Sequence, residues 1–372
     1  MWTFSLPTKI HFGAGSSAKL GELPELTGKR IAVVSDPVIS ALAPVRAIVQ
    51  QLAPVCEFTG VQPNPTVANA DSLAALLRQH HAEIVVAIGG GSALDCAKAG
   101  AFLAPTNEPS IRAYHSGGKA FDTVSIPVIA LPTTAGTGSE VTPISVLDDE
   151  EKNFKGPMAS PRLSPVCAVV DSDLTLSVPL KVTAATALDA LSHAIEGFWS
   201  KNHQPLCDAL AMEAARTIFI HLPKVYDNLN DATSREVLSY AALTAGIAFQ
   251  MPKNAIMHAC SYPLSNRAHL AHGAACAFTM EAAIRLNAPH MNGRMETFAR
   301  HCGFDTIDQM TRAITSLKRR GQLPCTLKDA GIDSVLLETI ITESFHPLMN
   351  NNPKTVTTED LRNMYERLAD NG

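Results

Sequence analysis

Along the first 170 residues, short apolar runs rich in β-branched side chains alternate with longer stretches whose apolar positions recur every three to four residues. Such a pattern predicts strands and helices in turn. Residues 3–12 alternate enough for an extended edge segment or a hairpin, ended by the turn at Gly13 and Gly15. Residues 30–35 (RIAVVS) read as a buried strand that stops at Asp36-Pro37, and 39–52 carries helical periodicity. A second unit follows: strand 56–61, a turn at Asn64-Pro65-Thr66, and helix 67–80. A third has strand 83–88, a turn at Gly89, Gly90, Gly91 and Ser92, and helix 93–103. Residues 127–131 and 166–170 are two more buried strands. Alternation of this kind predicts a parallel sheet with helices on both faces.

After about Pro179 the pattern changes. Residues 184–199, 204–221, 234–249, 274–286 and 295–302 have helical spacing, and no convincing strand falls among them. We therefore expect two domains, an α/β domain over residues 1–179 and an all-helical domain over residues 180–372. The end reads as an Asn-rich loop at 350–352 and a final surface helix over 359–371. At 372 residues the chain is long enough for two substantial cores.

Composition narrows the classes of function. The chain is nearly half apolar with a net charge of −5. It lacks the basic patch of a nucleic-acid binder and the run of about 18 to 20 apolar residues of a membrane span. The start, MWTFSLPTKIHFGAG, has no charged region leading into an apolar core, so no secretory signal is expected. Eight cysteines, none in a CxxC pair, read as reduced, buried thiols of a cytoplasmic protein.

Two kinds of chemistry stand out. In ALDALSHAIE, residues 187–196, Asp189 and His193 are four apart, which on a helix places them on one face. That pair alone could be a surface hydrogen bond. Its apolar neighbours Leu188, Leu191, Ala194 and Ile195 suggest burial instead, where unpaired polar groups are costly. His258 and His272 lie in a second stretch of small and apolar residues. Together the four offer one oxygen and three nitrogens, a donor set suited to Fe²⁺ or Zn²⁺. The other chemistry is phosphate binding. VVAIGGGSALDCAKA puts three glycines between a strand and a helix, so bare backbone N–H groups and a helix N-terminus can face an anion. LPTTAGTGSEVT, residues 131–142, is a second polar turn after a strand. Asp36 ends another strand. A carboxylate there either accepts from an adenosine ribose, favouring NAD(H) over NADP(H), or simply opens the turn before Pro37.

Taken in order, Asn64-Pro65-Thr66, GGGSALDCAK, LPTTAGTGSEVT, ALDALSHAIE and the two later histidines resemble the group III, iron-containing alcohol dehydrogenases. The resemblance implies a Rossmann-like N-terminal domain, a helical C-terminal domain of the dehydroquinate synthase-like fold, and a cleft holding NAD(P) and a divalent metal. It implies metal ligands at Asp189, His193, His258 and His272. It also implies cofactor contacts at Asn64, Gly90, Gly91, Ser92, Asp95, Thr133, Thr134 and Lys155, and a homodimer joined near the N-terminal segment. One position departs from the family. Many members have a histidine four residues after the first of the later pair, where this chain has Tyr262; Tyr262, His269 or a water chain is left to move the proton. Cys260 and Cys276 read as apolar filler.

The expected reaction is hydride transfer between nicotinamide and a short aldehyde or primary alcohol, with the metal polarising the substrate oxygen. The run HACSYPLSNRAHLAHGAACAFT is similar to a subgroup of the family that reduces phosphonoacetaldehyde to 2-hydroxyethylphosphonate. A dianionic head needs cations, and Lys253 and Arg267, with His269, flank the ligands in sequence; all three could instead be a solvated rim. Two alternatives stay open. One is a general short-chain alcohol or diol dehydrogenase; the other is a dehydroquinate synthase-like lyase or cyclase with no net redox change.

Overall fold

The structure, a computed structural model, describes residues 1–152 and 154–369. Its described strands are β1 (Lys9–Phe12), β2 (Ile31–Val34), β3 (Cys56–Phe58), β4 (Ile84–Gly89), β5 (Val128–Pro132), β6 (Ile144–Asp149), β7 (Phe154–Ala159) and β8 (Cys167–Val170). Six form one sheet in the order β1-β8-β5-β4-β2-β3, with every neighbouring pair parallel. Successive side chains of a strand point to opposite faces. Accordingly Ala32, Val34, Val85, Ala87 and Ala130 join one buried cluster, with Leu73, Leu77 and Phe102. Ile31, Val33, Ile84, Val86 and Ile129 join the other, with Leu20, Val45 and Ile48. Helices α2 (Val67–Gln79) and α3 (Gly91–Leu103) cover the first face, and α1 (Ala43–Leu52) covers the second.

The chain departs from the expected elements in three places here. Residues 39–52 are two pieces, a 3-10 turn at Ile39–Ala41 and then α1, which has Pro44 in its first turn. Proline is tolerated there because that N–H has no helical partner anyway. β3 stops at Phe58, short of residue 61. The third departure is the antiparallel ribbon of β6 and β7, which was not expected at all. It is pinned from outside by buried His115, whose Nε2 lies 3.2 Å from the Leu147 carbonyl and 3.1 Å from that of Gly156. Both partners accept, so Nε2 carries the proton.

Two compact units divide the chain. One comprises Ser5–Thr134 and Gly138–Ser177, and holds the sheet. The other comprises Met1–Phe4, Ala135–Thr137 and the chain from Val178 onward. It is built on α4 (Leu180–Trp199), buried at nearly every residue from Thr183 to Trp199. α5 (Pro205–Asp227), α6 (Ala232–Phe249), α7 (Ile256–Ala268) and α8 (His272–Phe278) pack against it. The expected helix 274–286 is in fact α8 and α9 (Met280–Asn287), parted at Thr279. α10 (Arg294–His301), α11 (Ile307–Arg320), α12 (Ser334–Glu343) and α13 (Thr358–Glu366) complete the unit. α13 buries Leu361, Met364 and Tyr365, so it is half core rather than a surface helix. Asp370 and Asn371, the expected end of that helix, lie outside the described residues. Among the described residues no helix is long and apolar enough to cross a membrane.

Candidate functional site

The helical unit gathers its polar residues around one point. Asp189, His193 and Glu196 project from one face of α4 at spacings of four and three. All three are buried. His258 comes from the first turn of α7, and its Nε2 lies 3.0 Å from Nε2 of His193 and 3.7 Å from Oδ1 of Asp189. His272 opens α8 and brings its Nε2 to 3.9 Å from the same Asp189 oxygen. The ring of His193 is stacked between Phe249, at 4.2 Å, and His258, at 4.6 Å.

This donor set fits a divalent cation. Asp189 Oδ1 is buried with no hydrogen-bond donor among the described residues, although two imidazole nitrogens face it. A buried carboxylate oxygen without a donor is costly unless a cation takes that place. Burial also pulls the His193 pKa down to about 3, against the opposing charge of Asp189, so that ring is neutral and has a lone pair to give. Cys276, one turn after His272, is a fifth group here. One ligand atom from each of Asp189, His258, His272 and Cys276 lies within 4.8 Å of the others. Burial pushes the Cys276 thiol up, so it is a neutral wall of the site, closer to the donors than a mere filler.

The residues around the donors are disposed unequally. Tyr262 is buried one turn beyond His258 on α7, with its ring edge-on to His346 at 4.9 Å. Burial lowers the His346 pKa, and its Nδ1 accepts from the Leu348 N–H. The neutral ring therefore carries its proton on Nε2. His269 is the exposed, left-handed cap of α7. Lys253 is exposed in the turn before α7, also left-handed, and its ammonium makes no ion pair with a described residue. Arg267 is engaged with a carboxylate from α12. Its guanidinium forks onto Glu343, with NH2 2.6 Å from Oε1 and Nε 2.9 Å from Oε2. The charge is already spent on a surface pair.

In the sheet unit, Asp36 follows β2 and the glycine turn follows β4. These strands flank the point where the strand order reverses, the place where open α/β sheets bind ligands. Asp36 does open the turn before Pro37. Oδ1 accepts from the N–H groups of Val38 and Ile39 and so forms the turn, while Oδ2 is directed toward Gly89. Gly89 has to be glycine, since a Cβ there would stand 2.6 Å from that of Ala93. Gly90, Gly91 and Ser92 are partly exposed at the start of α3, and Thr134 lies beside Gly90. Thr133 is buried, and its hydroxyl has no partner among the described residues. Lys155, on β7, donates to Asn64 Oδ1 at 2.7 Å, joining two residues 91 apart.

Asp95 is placed differently from the expected cofactor contact. Its oxygens accept from the Ser139 hydroxyl and the Val146 N–H, and Lys98 lies 3.2 Å away. Both oxygens thus tie α3 to the 131–142 turn and β6. Lys98 completes the clamp from full burial, donating to Ser139 Oγ at 2.6 Å and to the carbonyls of Ser139 and Ile144. Burial lifts Glu140 beside it to a pKa of about 7, with Lys98 pulling the other way.

Glu196, Cys276 and His346 were not singled out as site residues from the sequence. The signal for Glu196 was a third polar residue at i+7 of the Asp189 face, and that for Cys276 was its place at i+4 from His272. His346 has no local signal, since it meets Tyr262 from 84 positions away.

Comparison with known proteins extends over the whole chain. Residues 7–172 match the family model described as iron-containing alcohol dehydrogenase, and residues 183–369 match that of the C-terminal part of the Fe-containing alcohol dehydrogenase family. A sulfoacetaldehyde reductase from Bifidobacterium kashiwanohense, solved in complex with NAD+, superposes with a TM-score of 0.94 at 40% identity, covering 100% of both chains. A 1,3-propanediol oxidoreductase superposes with a TM-score of 0.93 at 28% identity, over 99% of this chain and 100% of that one. The 1-propanol dehydrogenase PduQ of Salmonella typhimurium is 30% identical over 99% of this chain and 100% of its own. This chain belongs to the iron-containing alcohol dehydrogenase family, and it has that family's fold of a six-stranded parallel sheet domain followed by a helical domain.

Proposed function

We propose that the protein is a metal-dependent, NAD(H)-linked reductase of short aldehydes that carry an anionic head, phosphonoacetaldehyde and its sulfonate analogue being the candidates. The likeness to the sulfoacetaldehyde reductase, 40% identical from end to end, carries this reading. The run around the SYPL segment supports the phosphonate, since it is similar to the phosphonoacetaldehyde-reducing subgroup. When bound, a divalent ion supplies Lewis-acid polarisation of the aldehyde oxygen and the dinucleotide supplies the hydride.

This chain's residues do the rest. Asp189, His193, His258 and His272 hold the ion, as one carboxylate and three imidazoles that leave it a net positive charge. Gly90, Gly91 and Ser92 offer backbone N–H groups to the pyrophosphate, and the Thr133 hydroxyl is free to join them. Asp36 Oδ2 accepts from the ribose and repels a 2′-phosphate, which supports NAD(H). Asn64 and Lys155 act as one linked pair toward the cofactor, and Asp95 acts through the turn it clamps. Tyr262 delivers the proton to the alcohol oxygen from its hydroxyl, with the His346 ring set edge-on against it and holding its orientation. Lys253 pairs with the anionic head, a role from which Arg267 is withdrawn by Glu343. We also infer a cytoplasmic homodimer. The eight free cysteines support a reducing compartment, and β1, which among the described strands is an edge strand paired with β8, supports the dimer.

NADH oxidation by protein loaded anaerobically with Fe²⁺ or Zn²⁺ tests the reading. Turnover should be metal-dependent and strongest with phosphonoacetaldehyde or sulfoacetaldehyde, against acetaldehyde, glycolaldehyde and lactaldehyde. Equal turnover of the neutral aldehydes would remove the anionic head. It would favour a general short-chain alcohol or diol dehydrogenase, which the likeness to the propanol and propanediol enzymes supports.

A further inference from the structure

We propose that Glu196 is a positioning residue for the metal centre: its carboxylate fixes the tautomer of His258 and anchors the turn of α7 that carries that ligand. The inference rests on the metal reading above and concerns a residue that would not touch the ion.

Glu196 is fully buried and neither of its oxygens is idle. Oε2 lies 2.6 Å from His258 Nδ1, and Oε1 accepts the Met257 N–H at 2.6 Å. Met257 and His258 are the second and third residues of α7, where backbone N–H groups lack helical partners. The N-cap residue, Ala255, makes no side-chain cap. Glu196 thus caps α7 from another helix, and its negative charge sits at the positive end of the α7 dipole.

The tautomer follows from the same contacts. A carboxylate only accepts, so His258 Nδ1 has to donate to it. In the neutral ring that binds a cation, the other nitrogen, Nε2, then keeps its lone pair. That is the atom that faces His193 Nε2 and Asp189 Oδ1. With the opposite tautomer, an N–H would point into the donor set and exclude a cation. A carboxylate behind a ligating imidazole also raises its basicity and fixes its plane. Because Glu196 shares α4 with Asp189 and His193, one helix sets two donors directly and a third through this contact.

Glu196→Gln separates tautomer control from bulk support, because it keeps the size of the side chain but has a single carbonyl oxygen. If that oxygen stays on the Met257 N–H, the amide nitrogen faces His258 Nδ1 and demands an acceptor there, which moves the ring proton to Nε2. The measurement is Zn²⁺ affinity by competition with a chromophoric chelator, beside the apo thermal midpoint of each protein. We expect roughly 10- to 100-fold weaker Zn²⁺ binding in Glu196→Gln, with the apo protein still cooperatively folded. Wild-type Zn²⁺ affinity in a folded Glu196→Gln protein would overturn the proposal. Should that variant fail to fold, the wild-type chain decides. Labelled with ¹⁵N-imidazole histidine, and with the His258 signal assigned by its loss in His258→Gln, it should show Nδ1 protonated in the apo state, as the Glu196 contact requires. A bare Nδ1 would overturn the proposal. A wild-type chain that bound no divalent ion would sink the metal reading itself, so the two failures are distinct.

Discussion

Gly273 follows His272, a proposed ligand, and a Cβ there would stand 2.2 Å from the Ala185 carbonyl oxygen, 2.8 Å from its carbon and 3.1 Å from Asp189 Cβ. Ordinary C···O contact begins near about 3.3 Å, so Gly273→Ala has to push α8 from α4 by about 1 Å. Both atoms that obstruct it most are backbone of a buried helix and cannot swing aside. Overpacking of this kind costs roughly 1–3 kcal/mol. The larger effect falls on the site. His272 Nε2 and Asp189 Oδ1 lie 3.9 Å apart on the two helices that would separate. Metal–ligand distances tolerate only about 0.2 Å, so the shift removes one donor from the four. We expect Zn²⁺ affinity to fall on the order of 10²-fold, the scale on which misplacement by about 1 Å acts. Chelator competition measures it, with Gly60→Ala as control, because the nearest atom to a Cβ there is 3.9 Å away. Wild-type metal affinity in Gly273→Ala would refute the idea that helix contact at this glycine sets the donor geometry.

Three further outcomes follow from the site. Lys253→Ala should raise KM for the phosphonate or sulfonate aldehyde roughly tenfold, the scale of one charge-assisted hydrogen bond, and leave that of neutral aldehydes unchanged; Arg267→Ala should change neither, and steady-state kinetics on the four pairs decides. Tyr262→Phe should lower kcat for aldehyde reduction about 10²-fold, the usual worth of a positioned proton donor, and flatten its pH profile, whereas an unaltered profile would point to a water chain. Glu140 has a folded pKa of about 7 against 4.5 for the free side chain, so its contribution to stability is full below pH 4.5 and is lost as the pH rises through about 7. Glu140→Gln should remove that loss, on the order of 3 kcal/mol. Thermal midpoints between pH 4.5 and 8 would show a flatter curve for the variant, and parallel curves would count against it.

Strands buried on both faces of a parallel sheet read as continuous apolar runs. RIAVVS and EIVVAI could therefore be placed from the sequence almost to the residue, as β2 and β4. The β6–β7 ribbon could not. In β6 the buried positions alternate with half-buried ones, and β7 contains Gly156 and Pro157, both poor strand formers. What holds the ribbon is His115 and Lys98, which approach from other parts of the chain. α7 was obscure for the opposite reason. It is buried nearly all round and carries His258, Ser261 and Ser265 inside, so it has no apolar stripe to betray a period.

Charge is legible only where its partner is local. Lys253 and Arg267 look equivalent in the sequence, as two cations flanking the histidines. Arg267 is neutralised by a carboxylate 76 positions away, and no spacing rule reaches that far. Asp95 likewise sits at a cofactor-like position, yet both its oxygens are held by residues 44 and 51 positions on. Buried polar groups on one helix are a different matter, because the helix itself supplies their geometry. Asp189, His193 and Glu196 differ by four and three positions and are flanked by apolar residues on both sides, so no water is at hand to satisfy them. Each must find a partner inside the protein. Glu196 finds two protein donors, Met257 and His258, and Asp189 Oδ1 finds none. That difference, between a satisfied carboxylate and one with a bare oxygen two turns apart on one helix face, separates the residue proposed to support the centre from the one proposed to hold a cation.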